Sequence, residues 1–83
     1  PKFQAIDSSG APLSGGLLYT YSAGTTTPKT SYTTPAAATA NSNPVVLDSR
    51  GEADVWLDTG NYKFKLTDSS QVEIWTVDNI AGA

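Results

Sequence analysis

The chain has 83 residues, a length that favours one small domain, and its eight acidic and five basic residues give a net charge of −3. It contains no Cys, His or Met, which excludes disulfides and the common soft-metal ligands. The basic residues form no stripe of the kind that nucleic-acid-binding proteins show, and no apolar run approaches the roughly 18 residues of a membrane span. We therefore expect no nucleic-acid partner, no membrane association and no cofactor or metal.

The first quarter of the chain predicts two strands joined by glycine-rich turns. A short strand over residues 3–6 is closed by the turn at 7–10. The pair Gly15 and Gly16 favours a bulge or a tight backbone approach. Residues 17–22 then alternate, so that Leu17, Tyr19 and Tyr21 share one face of a strand and Leu18, Thr20 and Ser22 share the other.

Residues 23–44 form a segment of different composition, rich in Thr and Ala and without Leu, Ile, Val or Phe. We expect a long loop here. Residues 29–33 are predicted to form an edge strand because prolines bracket them. Residues 36–40 are too short for an independent helix and favour a loop or a single turn.

From Val45 onward, apolar strands alternate with Asp/Gly turns, at Gly51 and at Gly60. A final strand follows the turn at 68–71. Every long segment has a period of two and none has a period of 3.6. The sequence therefore predicts an all-β fold, a small antiparallel β-sandwich of about six to seven short strands that spans residues 1–83. Because the chain begins at Pro1 and ends in Ala-Gly-Ala, we expect it to be a piece of a longer protein.

The same alternation predicts the core and leaves three large apolar side chains outside it. The interface candidates are Trp56, Trp75 and Val77, on the opposite face. Either the 23–44 loop folds over them as a second, minor core, or they contact another copy or another protein. The predicted core consists of Val55, Leu57, Phe64, Leu66, Val72 and Ile74.

One tetrapeptide, Leu57 to Gly60, resembles the active-site loop of retroviral-type aspartic proteases, in which two Asp carboxylates share a proton. That family usually has Ala and an acid next, where this chain has Asn61 and Tyr62. Asp-Thr-Gly is also an ordinary hairpin turn. Without His, no nucleophile–base pair can be assembled, so we expect no enzyme and no catalytic residue.

Two binding alternatives stay open. Asp48, Glu52 and Asp54 could be calcium ligands, although their spacing does not match an EF-hand loop and acids on an outward face are normally only solvated. Aromatic side chains could stack on sugars, although aromatics in strands more often serve packing. The candidates for stacking are Tyr19, Tyr21, Tyr32, Tyr62, Trp56 and Trp75.

The order of several phrases resembles a module of tailed-phage tail fibres and tailspikes, commonly found at or near their N-terminus. The phrases are GAPLSGGLLYTY at 10–21, AGTTTPK at 23–29, NPVVLDSRGEA at 43–53 and WTVDNI at 75–80. The opening Asp-x-x-Gly-x-Pro-Leu-x-Gly-Gly and the later Gly-x-Tyr-x-Phe are also similar to prealbumin-like sandwiches. Gln71 departs from the glycine often seen at the last hairpin of such modules, which leaves the type of that turn open.

The resemblance implies a trimeric structural protein of the virion, located in the phage tail, with other tail proteins as partners. The module would lie near the particle and anchor or space a downstream receptor-binding or depolymerase part. The alternative is a carbohydrate- or surface-binding β module that uses Tyr and Trp. The residues that carry over from the family are structural: Gly15, Gly16, Gly51 and Gly60 in turns, and Pro12 and Pro44 at rigid entries.

Overall fold

The computed structural model describes residues 2–7, 9–33 and 39–81. Their regular secondary structure is entirely β, which confirms the predicted fold class, with slightly more strands than expected. The eight strands are β1 (Lys2–Gln4), β2 (Leu17–Ser22), β3 (Ser31–Tyr32), β4 (Val45–Val46), β5 (Glu52–Asp54), β6 (Trp56–Leu57), β7 (Asn61–Thr67) and β8 (Glu73–Ala81).

The strands form one large antiparallel sheet and two small ones. The large sheet has the order β4–β2–β7–β8, and the small sheets are β1–β5 and β3–β6. Since β5 and β6 are separated only by Val55, the segment 52–57 pairs with β1 at one end and with β3 at the other. The two small sheets thereby share one continuous stretch of chain. Val55 between them belongs to the core, and Phe3 and Leu57 pack against it, as expected for the second layer of a small β-sandwich.

The core lies between these layers and follows the predicted alternation in β2 and β7. Leu18 and Thr20 of β2 are fully buried, whereas Tyr19 and Tyr21 are only half-buried on the outer face. Burying apolar area on one face of each strand is the main favourable contribution to the stability of such a fold. The buried apolar residues are Ala5, Leu13, Leu18, Val45, Leu47, Val55, Tyr62, Phe64 and Leu66.

Strand β8 departs from the predicted alternation because two bulges interrupt its pairing with β7. Nine residues of β8 lie opposite seven of β7, and the register shifts between Tyr62 and Phe64 and again between Leu66 and Thr67. Each extra residue moves the following side chains to the other face of the sheet. A simple period of two therefore assigns the wrong faces in β8.

The assignment of the last strand was accordingly wrong in both directions. Val72 and Ile74, predicted to be in the core, are 61% and 44% exposed. Trp75 and Val77, predicted on the opposite face, pair with the buried Leu66 and Phe64, respectively. Directly paired residues project to the same side of a sheet, so both face the core side.

Three turns share one hydrogen-bond pattern that begins at an aspartate. In each, the Oδ1 of the Asp accepts hydrogen bonds from the backbone N–H groups two and four residues later, at 2.8 to 3.1 Å. The residue three positions after the Asp has positive φ in every case, with values of 82°, 70° and 67°. These turns begin at Asp7, Asp48 and Asp68, and their positive-φ residues are Gly10, Gly51 and Gln71.

The third of these turns resolves the doubt about Gln71, because the local hydrogen bonds are the same as in the glycine turns. The Asp carboxylate holds the loop in shape, and a non-glycine residue is tolerated at positive φ at some cost. Gly51 differs because it is buried. A Cβ there would clash with the backbone oxygen of Ala5 and would lie 2.7 Å from the backbone nitrogen of Leu13.

The 23–44 segment is attached to the sandwich at several points. Asn43 uses its side-chain amide to bond both backbone groups of Thr20, at 3.1 and 2.8 Å, and so extends the pairing of β4 along β2. Strand β3 lies within this segment and pairs with β6, inside the predicted edge strand at 29–33. Most of the predicted turn at 36–40 lies outside the described residues.

Candidate contact surface

The turn between β6 and β7 contains the Asp-Thr-Gly sequence, and its polar groups are engaged in holding the turn together. Asp58 Oδ1 accepts a hydrogen bond from the Thr59 N–H at 2.8 Å, and Gly60 has φ of 89°. The Lys29 ammonium donates to the Thr59 carbonyl at 2.7 Å. These contacts are those of a structural turn bridged by a lysine from the neighbouring segment.

Tyr62 connects this turn to the core and to the 23–44 segment. Its side chain is fully buried, and its hydroxyl donates to the Thr30 carbonyl at 2.6 Å and accepts from the Asp58 N–H at 3.0 Å. The Lys29 ammonium lies 4.3 Å from the centre of its ring. Burial raises the pKa of the Tyr62 hydroxyl above its ordinary value. Tyr62 is therefore a core residue, and its ring has no exposed face on which a sugar could stack.

The acidic candidates for calcium are spread along a turn and a strand. Asp48 Oδ1 accepts the backbone hydrogen bonds of its own turn, while Glu52 and Asp54 lie at the two ends of β5. Within the described residues, no group of three acidic side chains is arranged to hold a metal ion. Asp48 thus has a role in turn formation, and Glu52 and Asp54 belong to strand β5.

The three interface candidates lie in different surroundings. Trp56 of β6 is half-buried and is paired with Tyr32 of β3, so the 23–44 segment lies beside it. Trp75 is half-buried against the core and meets the Phe3 ring edge-on, with centroids 6.3 Å apart and an angle of 62°. Val77 is 47% exposed. Trp56 therefore lies on a different strand from Trp75 and Val77, which are both on β8.

Large apolar side chains that are exposed gather at β8. Of the five such residues in the described part of the chain, three lie on this strand or directly before it, and we call them the β8 strip: Val72, Ile74 and Val77. The strand is an edge of the four-stranded sheet, so one side of its backbone has no neighbouring strand among the described residues. Exposed apolar groups on an edge strand are features of a contact surface.

The outer face of the same sheet carries a group of residues that the alternation of single strands does not bring together. In the register of β2 and β7, Tyr19 pairs with Lys65 and Tyr21 with Lys63. We call these four half-buried residues the Tyr–Lys block. The alternation within each strand predicts that these residues face outward. It does not predict that they lie together, because that depends on β2 and β7 being neighbours.

Asp78 anchors the loop after β2 to β8. Its carboxylate accepts hydrogen bonds from the Gly24 N–H, at 2.9 and 3.2 Å to its two oxygens, and from the Asn79 N–H at 2.7 Å. The Gly24 and Asn79 bonds, with a smaller attraction from Lys63, lower the pKa of Asp78 below its ordinary value. This contact fixes residues 23–24 beside the second bulge of β8.

No model of a known protein family matches this chain, and no curated protein matches it. In the residues described by the structure, no helix is both long and apolar enough to cross a membrane. The physical indications of function in the described residues are therefore two surfaces, the β8 strip and the Tyr–Lys block.

Proposed function

We propose that this chain is an attachment module of a tailed-phage tail fibre or tailspike, which anchors or spaces the receptor-binding part by protein–protein contact. The order of its sequence phrases resembles that family, and a small all-β sandwich is compatible with it. The observation that carries the contact role is the β8 strip, because three large apolar side chains lie exposed along one edge of the sheet.

The β8 strip gives a physical reason for association. Covering a Val or Ile side chain that is about half exposed contributes roughly 1 kcal/mol, so the strip supplies a few kcal/mol to a contact that buries it. Such a contribution does not hold two proteins together alone, since association has its own entropic cost. A contribution of this size suits a module that makes several such contacts at once. We therefore propose a homotrimer that also contacts other tail proteins.

The location in the virion is tested by immunogold electron microscopy. Antibodies raised against this chain are applied to purified particles of the source phage and to the lysate of infected cells. We expect gold on the tail, at the point where fibres or spikes join it. Label that stays in the particle-free lysate while the tails remain bare would contradict the proposal.

The contact role is tested separately with variants of the full-length protein. Val77→Asp and Val72→Asp introduce a charge into the β8 strip, and Ile6→Asp introduces the same charge at a residue that is 59% exposed elsewhere. We expect both strip variants to lower trimer formation in sedimentation experiments and Ile6→Asp to leave it unchanged. Val72 lies outside the strands, so its variant keeps the test decisive if Val77→Asp unfolds the sandwich. Unchanged trimers in the Val72→Asp protein would contradict a role for the strip.

A further inference from the structure

The Tyr–Lys block is a compact aromatic and cationic surface on the side of the sheet that faces away from the core. The two tyrosine rings are nearly parallel, with an angle of 10° and centroids 6.2 Å apart. The Lys65 ammonium lies 5.3 Å from the centre of the Tyr19 ring. Thr76 of β8 pairs with Lys65 and continues the row across the sheet. The four side chains therefore lie side by side on two adjacent strands.

The core does not require these residues. The inward positions of the same two strands are filled by Leu18, Thr20, Phe64 and Leu66. Of the other aromatic candidates for stacking, Tyr62 is fully buried and Trp75 packs edge-on against Phe3. The tyrosines of the block are thus distinguished by parallel rings on an outer face. A tyrosine presents an apolar ring with a polar tip, which suits a ligand that is itself amphipathic.

The charge of the block is opposite to that of the whole chain. Two of the five basic residues of a protein with net charge −3 are placed side by side here. Asp78 lies near enough to interact with Lys63, but its carboxylate is bonded to the backbone at Gly24 and Asn79. Lys65 pairs with Thr76 of β8 on one side, and its ammonium is directed to the other side, over the Tyr19 ring. The patch thus favours an anionic ligand that also has an apolar face.

We propose that the Tyr–Lys block binds an acidic polysaccharide, a chain of uronic acid residues, by stacking sugar rings on the tyrosines and pairing carboxylates with the lysines. A protein partner fits less well, because lysine is depleted in protein–protein interfaces. Single-stranded nucleic acid also stacks on aromatic side chains, but it requires a positive groove that follows the backbone. Two lysines beside an aspartate are not such a groove. This inference is independent of the location in a virion.

The test is a titration of the full chain with oligogalacturonate, followed by calorimetry and by the amide shifts of a labelled sample. Methyl-esterified oligogalacturonate is the matched ligand without charge. The variants are Tyr21→Ala and Lys65→Gln, and Arg50→Gln is the control because it removes a positive charge from an exposed turn outside β2 and β7. Thermal melting of each variant shows whether it is folded.

We expect binding of the acidic oligomer, with shifts confined to β2 and β7, and little binding of the esterified form. Tyr21→Ala and Lys65→Gln should each weaken binding by about tenfold, equivalent to about 1.4 kcal/mol, and Arg50→Gln by less than about twofold. Added salt should weaken it as well. The proposal fails if the acidic oligomer does not bind at about millimolar concentration, or if the variants of the block bind as well as the wild type. It also fails if oligo(dT) or poly-glutamate binds more tightly, which would identify a nucleic acid or an acidic peptide as the ligand.

Discussion

Strands β7 and β8 are neighbours in one sheet and yet differ in nearly every property. Strand β7 lies between the hydrogen-bonded strands β2 and β8, and its apolar side chains are buried. In β8, one edge has no neighbouring strand in the described part of the chain, two bulges interrupt the register, and seven of the nine residues are exposed. Apolar side chains thus stabilise the fold in the first strand and are available for contact in the second.

The largest expected effect separates the two strands directly. Leu66→Ala removes a side chain from the interior of β7 and should lower the free energy of unfolding by about 3 kcal/mol, through lost burial and the cavity left behind. Val77→Ala shortens a half-exposed side chain of β8 and should cost less than about 1 kcal/mol. Urea unfolding of both variants measures the two values, and similar losses would remove the distinction between the strands.

The second effect concerns the hydroxyl that ties β7 to the 23–44 segment. Tyr62→Phe leaves the Thr30 carbonyl and the Asp58 N–H without this partner and should cost about 1 to 3 kcal/mol near neutral pH. Tyr21→Phe removes a hydroxyl from the outer face of the same sheet and is the control. Equal losses in the two variants would show that the bonds of Tyr62 have no special role.

Because the pKa of Tyr62 is raised, the effect of Tyr62→Phe on stability should depend on pH in the alkaline range. The unfolded chain ionises at the ordinary value of 10.0, whereas burial keeps the folded hydroxyl neutral to higher pH. Wild-type stability should therefore be complete below pH 10 and should fall as the pH rises from 10 toward the raised pKa. Denaturant unfolding across this range should show the gap between wild type and Tyr62→Phe narrowing, and a constant gap would contradict the assignment.

A smaller effect, of opposite sign, is expected in the turn that joins β7 to β8. Gln71 has φ of 67°, which glycine adopts without steric cost, so Gln71→Gly should stabilise the protein by about 0.5 to 1 kcal/mol. Ser70→Gly changes the neighbouring exposed residue, which has no positive φ, and should be neutral or slightly destabilising. Thermal melting compares the two, and destabilisation by Gln71→Gly would mean that the glutamine side chain stabilises the turn.

The last and smallest effect on stability is expected only at acidic pH. Because backbone hydrogen bonds lower the pKa of Asp78, its contribution to stability is present above pH 3.8 and is lost as the pH falls through the lowered pKa. Asp78→Asn should remove that part of the acid dependence. Glu73→Gln removes the same charge from the same strand and is the matched control. An acid profile that Asp78→Asn leaves unchanged would show that the contact with Gly24 contributes nothing.

The difference between β7 and β8 also explains which parts of the fold could be predicted from the sequence. Alternation alone identified the inward residues Phe64 and Leu66 of β7 and separated the two faces of β2, because the pairing of these two strands with each other is continuous. It misplaced Trp75 and Ile74, since a bulge adds a residue without any required residue type. The turn predicted at 68–71 is present even though Gln71 occupies the glycine position, while its type could not be predicted.

The candidate surfaces could be predicted only in part. Tyr19 and Lys65 each face outward by alternation, but more than forty residues separate them, and only the pairing of β2 with β7 brings them together. The β8 strip depended on the position of the bulges and on the open edge of the sheet. Such long-range pairings arise from the packing of the whole core, which a local pattern does not encode.

We propose that β8 is the strand through which this chain contacts its partners. Amide hydrogen exchange measured on the isolated chain and on the assembled full-length protein tests it most directly, with β7 as the internal reference. We expect the amides of residues 72–77 to exchange at least about tenfold more slowly in the assembly, while those of β7 remain equally protected in both samples. Equal exchange of residues 72–77 in the two samples would contradict the claim.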